Sequence, residues 1–156
     1  MLVIIAMIKQ LILVLLLSLL PFEAIAGVTV VQALSFGSWI SKNNNVQHDI
    51  TVNTNGTYTF DSAGFIELVA PQEGVFDLDG LPVSTAIASV VVTQTIPLSA
   101  SGENFQMVSL QESHPGSTSA GGVAQITVGG TARTSGSTIS YGDATYNGQL
   151  QIQINF

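Results

Sequence analysis

Cysteine is absent from the 156 residues. That excludes disulfides, zinc–thiolate sites, thiol redox chemistry and a cysteine nucleophile, and leaves packing and ladder hydrogen bonds to hold the fold. Cations are almost as scarce. Three Lys and Arg stand against ten Asp and Glu, a formal net charge of −7, and only Lys42 and Arg133 lie beyond residue 26. A phosphate backbone is held by several cations at once, so nucleic acid is excluded as a partner. No stretch after residue 26 carries an apolar stripe at helical spacing over the length a helix needs. The Gly-x-Ser-x-Gly elbow of common serine hydrolases is missing. Without paired groups of plausible geometry the chain is not expected to be an enzyme, and no cofactor is implied.

What is present begins with an address. Lys9 precedes the apolar run Leu11 to Leu17, Pro21 breaks that run, and Ala24-Ile25-Ala26 supplies small residues where a signal peptidase reads. This pattern predicts a signal peptide over residues 1–26, cleaved before Gly27. The alternative is an uncleaved anchor, since Leu2 to Leu20 nearly suffices to span a bilayer if Lys9 snorkels. Cleavage leaves residues 27–156 as one exported domain in the periplasm, at the cell surface or outside the cell, with no membrane attachment.

That domain reads as short β-branched runs separated by turn residues. Val28 to Phe36 comes first, with Val28, Val30, Leu34 and Phe36 on one face. Val46 to Val52 and Thr57 to Phe60 flank an Asn55-Gly56 turn. Phe65 to Ala70 is apolar on both faces apart from Glu67, which predicts a central strand. Val75 to Leu78 follows. Ala86 to Leu98 then puts Ala88, Val90, Val92, Ile96 and Leu98 on one face, with Pro97 marking an edge or a bulge. Phe105 to Leu110 and Val123 to Val128 precede the last strand, with Gly129-Gly130 as a sharp bend or bulge and Ser113 to Gly122 as a mobile loop. At the carboxyl end Leu150, Ile152, Ile154 and Phe156 alternate with Gln149, Gln151, Gln153 and Asn155. Period-two alternation gives one oily and one wet face, so this terminal strand needs a second layer to cover it. Eight or nine such strands predict an all-β, antiparallel sandwich of two sheets, with a closed barrel as the alternative.

Single residues invite chemistry, and each has a plainer account. His48 adjoins Asp49, but neighbours on a strand face opposite ways, so a half-buried histidine bonded to backbone outweighs a general base. His114 sits at a loop tip. Asp77-Leu78-Asp79-Gly80 begins like a calcium loop yet lacks the remaining ligands, so a strand followed by an Asp-Gly turn is preferred to a metal site. A weak surface calcium site using Glu73 stays open. Asn55-Gly56-Thr57 matches a glycosylation sequon and is better explained as a turn. Trp39 reads as a core plug rather than a sugar platform, and nothing in the sequence brings Tyr58, Tyr141 and Tyr146 together.

Leu34-Ser35-Phe36-Gly37, Phe76-Asp77-Leu78-Asp79-Gly80 and Ile126-Thr127-Val128-Gly129-Gly130-Thr131 occur in a fixed order, closed by Gly142 to Tyr146, Gly148 and the alternating tail. In this order the chain resembles the exported domain-of-unknown-function family numbered forty-four-oh-two of Gram-negative bacteria. It also looks like a relative of spore-coat-protein-U-like pilins of archaic chaperone–usher systems. The resemblance implies an immunoglobulin-like sandwich, a surface, fibre or adhesive role, and partners among copies of itself, related subunits, a periplasmic chaperone and an usher. Two departures stand out. Such pilins commonly carry a disulfide, and they place a donor segment ahead of their own first strand. Here only Gly27 to Ala33 precede Leu34, roughly 23 Å at strand rise, so Val28 to Phe36 serves either as donor or as the domain's own strand. The strand-exchange residues are then Val28, Val30, Leu34 and Phe36. The alternative function is a monomeric secreted module that binds a glycan or envelope component through the loops Lys42 to Asn45 and Ser113 to Gly122.

Overall fold

Ala124–Arg133 is buried along nearly its whole length, and the other strands are arranged around it. The computed structural model describes residues 26–100 and 103–156. The expected leader therefore lies, apart from Ala26, outside the described residues. In chain order the strands are β1 (Gly27–Gln32), β2 (Ser38–Ser41), β3 (Asp49–Val52), β4 (Tyr58–Phe60) and β5 (Phe65–Val69). There follow β6 (Gly74–Asp79), β7 (Ser89–Ser99), β8 (Gln106–Ser113), β9 (Ala124–Arg133) and β10 (Asn147–Asn155). All pairings are antiparallel, and no helix occurs among the described residues. The fold is an antiparallel β-sandwich.

One layer is a six-stranded sheet in the order β1-β6-β9-β3-β4, with β8 on the other flank of β9. β9 pairs with β6 through Ala124 to Val128 and with β3 through Gly130 to Arg133. Gly129-Gly130 is thus neither the bend nor the bulge expected from sequence. The strand runs through it and changes partner there, and glycine is needed because a Cβ at Gly129 would strike the Val52 carbonyl oxygen. The second layer is the β7–β10 pair. Leu78, Ile87, Val90, Ile126 and Val128 form the core between the layers, with Leu150, Ile152 and Ile154 packed against it. Phe156, by contrast, is 48% exposed at the chain end. Register breaks in β7 fall near Thr95 and Pro97, where proline withholds a ladder donor.

β5 departs from the expected central position. It pairs only with β2, and Ile66, Leu68 and Val69 are exposed. A short apolar run does not reveal which of its faces is covered. β2 is a strand that the sequence reading did not assign, starting one residue after Gly37. Trp39 on β2 packs on Phe60 and Phe65, with ring centroids 4.7 and 5.9 Å away, which ties the ribbon to the β3–β4 end of the large sheet.

Candidate functional site

β1 is shorter than the Val28 to Phe36 expected. It ends at Gln32, and its register against β6 slips between Val30 and Gln32, so Val31 is a bulge. The slip breaks the alternation that put four apolar residues on one face. Val28 lies opposite Leu78, and Val30 opposite Phe76. Directly opposed residues share a face of the sheet, so both valines sit on the core side, as the buried Leu78 does. Yet Val28 is 58% exposed and Val30 57%. Leu34 packs against the core and Phe36 is half-buried.

Along this uncovered margin runs a cleft of about 310 Å³, lined on one side by Val30, Leu34, Phe36 and Phe76 and on the other by Leu98 and Leu150. β10 borders it. Its ladder is made with β7 alone among the described residues, leaving its other edge unpaired. The result is an apolar trough beside a row of free N–H and C=O groups, the arrangement that accepts an added strand.

The two histidines occupy different settings. His48 is 3% exposed, fully buried rather than half-buried, and its ring contacts are side chains rather than backbone. Nδ1 donates to Asp61 Oδ2 at 2.7 Å, and Nε2 lies 3.0 Å from Asn43 Oδ1. Asn43 is turned that way because its Nδ2 donates to the Ala63 carbonyl. The absence of a Cβ at Gly64 lets the ring pack there. With both nitrogens engaged and no solvent access, His48 cannot act as a general base. Asp49 points away, as expected, and forms a bidentate pair with Arg133 at 2.6 and 2.7 Å. His114 is half-buried, its Nδ1 3.0 Å from the Pro115 carbonyl oxygen.

The His48 hydrogen bond, helped by the Ala63 N–H, holds the Asp61 carboxyl below its ordinary range, and the Arg133 hydrogen bond does the same for Asp49. A depressed carboxylate contributes stability above its unfolded value, and that contribution is lost as pH falls through the folded value. The melting temperature is therefore expected to drop below about pH 4, and Asp61→Asn to flatten that drop, as thermal melts followed by circular dichroism between about pH 3 and pH 7 would show. A variant with the unaltered acid profile would count against the linkage.

The remaining candidates make hydrogen bonds within the chain. Asp79 Oδ1 accepts the Gly27 N–H at 3.2 Å and Asp77 Oδ1 accepts from Gln125 Nε2 at 2.9 Å, while Gly80 at φ 69° makes the expected turn. No cluster of three metal-ligating side chains occurs among the described residues. In the Lys42 to Asn45 loop, Lys42 Nζ donates to the Ser62 carbonyl, and buried Asn44 donates to Ser135 Oγ and the Ile139 carbonyl. Ser113 closes β8, and in the segment after it Thr118 is buried and accepts the Thr85 N–H.

The tyrosines separate. Tyr58 donates to Glu67, which raises its pKa, whereas Tyr141 and Tyr146 gather round Phe105. Sequence reasoning missed this trio, since its members stand 36 or more positions apart or in an irregular segment. The Asp61 partner of His48 was missed too, although Asp61-Ser62-Ala63-Gly64 carries a turn signal. Comparison with protein-family models, curated proteins and solved structures gives no match to this chain.

Proposed function

We propose that this chain is an exported structural or adhesive subunit that joins copies of itself, or related subunits, by β-strand addition. The supporting observation is the uncovered core-side face of β1 beside the free edge of β10. An extended segment with alternating apolar residues, entering along that margin, pairs with the edge and fills the cleft that β1 leaves when it is donated onward. The donor is the Val28 to Phe36 segment of another copy. Within a single chain its first part is β1, held on β6 by five registered pairs with a bulge among them. Donation replaces this ladder with an equivalent one between chains, as domain swapping does. Transfer from one subunit to the next is head-to-tail and does not close on itself, so it gives a filament. A periplasmic chaperone and an usher would serve to cover the trough until the donor arrives. A signal peptide over residues 1–26 and the resemblance to chaperone–usher pilins are in keeping with this role.

Size-exclusion chromatography with light scattering, together with negative-stain electron microscopy, tests it. The purified protein is expected to form concentration-dependent linear oligomers, and Val28→Asp combined with Val30→Asp to leave folded monomers. Monomers at every concentration, or oligomers indifferent to the double substitution, would sink the reading.

A further inference from the structure

A carboxylate stands over the amino-terminal end of β1. Gly27 opens the strand and lies opposite Asp79, the last residue of β6. Asp79 Oδ1 is 3.2 Å from the Gly27 nitrogen and accepts its N–H. Asp79 is exposed and precedes the turn at Gly80. Solvent is open to its side chain, yet that side chain is turned back over residue 27.

Glycine permits this. A Cβ at position 27 would strike Oδ1 and come within 3.0 Å of Cγ, so any other residue would push the carboxylate aside. Nothing cationic meets Asp79 among the described residues. His48 pairs with Asp61 and Arg133 with Asp49, while Lys42 Nζ rests on the Ser62 carbonyl. Asp77, the neighbouring carboxylate on the same face of β6, is already engaged by Gln125 Nε2 at 2.9 Å.

Cleavage of the leader would supply the missing cation. Hydrolysis of the Ala26–Gly27 peptide bond by a signal peptidase consumes one water. It leaves a carboxylate on Ala26 and makes the Gly27 nitrogen an ammonium. That nitrogen already lies within hydrogen-bond reach of Asp79. We infer that the Gly27 ammonium and Asp79 form a latch that holds the cut end of β1 on β6 in the processed protein.

A contact with one charged partner becomes a contact with two. The capture of a chain's terminal amine by fixed acceptors is an established mode of recognition. Strands fray from their free ends, and processing creates such an end at the first residue of the β1–β6 ladder. The new charge appears where it opposes that fraying. Cleavage one residue earlier moves the ammonium a strand position away, about 3.3 Å. This latch needs cleavage before Gly27 and does not need strand addition. If β1 is donated, the pair is among the contacts that open.

The full chain is exported from a Gram-negative host, and the product is examined by intact mass and amino-terminal sequencing. Gly27 is the expected first residue. Its amine is then titrated through the NMR shift of the Gly27 α-carbon. A free α-amino group titrates at about 7.7–8.0, and a carboxylate beside it favours the charged form. The midpoint is expected to lie about 0.3 of a pH unit or more above that of Asp79→Asn, the scale of an exposed ion pair. Asp77→Asn removes the same charge without the contact and should move the midpoint clearly less. Hydrogen exchange of the β1 amides should quicken about twofold in Asp79→Asn. A first residue other than Gly27 would overturn the cleavage site and the latch together. With Gly27 first, a midpoint or a β1 exchange rate unchanged in Asp79→Asn would overturn the latch alone, as would equal effects of the two substitutions.

Discussion

Replacing Ile126 with alanine is expected to remove about 2–5 kcal/mol of folding stability. Ile126 is 0% exposed and sits on β9 opposite Phe76, within the cluster that joins the two layers. Its loss leaves a cavity that the neighbours cannot easily fill, because β9 is held by β6 on one flank and β8 on the other. Domains of this kind are stable by about 5–15 kcal/mol in total, so the variant keeps only part of that margin. Urea titration followed by circular dichroism measures it, with Ile139→Ala as the control. Ile139 is 59% exposed, and its truncation should stay within about 0.5 kcal/mol. Equal midpoints for the two variants would contradict the placement of β9 at the centre.

Gly129→Ala is expected to be comparably damaging for a different reason. The added methyl meets the Val52 carbonyl oxygen and the main chain of Asn53 and Thr54, none of which can rotate aside. β9 and β3 must move apart where Val52 pairs with Gly130. Overpacking costs about 1–3 kcal/mol, and each ladder hydrogen bond lost adds about 1 kcal/mol. Gly116→Ala is the control, as a Cβ there meets nothing within 4 Å. Indistinguishable melting of the two variants would show that β9 and β3 are farther apart than described.

The contrast between these positions shows what the sequence could reveal. Strict alternation made Leu150, Ile152 and Ile154 legible as one face, because a strand half covered by a second layer writes its burial directly into its period. β9 was legible only as far as Val128. Its second half is Gly-Gly-Thr-Ala-Arg, where small residues serve close strand approach and imitate a turn. β5 failed in the opposite sense. Ile66, Leu68 and Val69 are as apolar as any core strand, and their exposure depends on which strands lie beside them. The candidate sites were less legible still. His48 meets Asp61 through the β3–β4 hairpin and its following turn, and Phe105 meets Tyr141 and Tyr146 across an irregular segment.

The Asp49–Arg133 pair has a consequence for how copies meet. Arg133 is committed to a neighbour within its own chain, and Lys42 rests on a backbone carbonyl. Arg133 brings no unpaired charge to the acidic surface of an approaching molecule, and among the described residues only Lys42 is left to offset it. Encounter between copies is consequently opposed by mutual repulsion, which dissolved ions weaken over a Debye length of about 8 Å at physiological ionic strength. Any association of such an anionic particle with its like is therefore sensitive to the surrounding electrolyte.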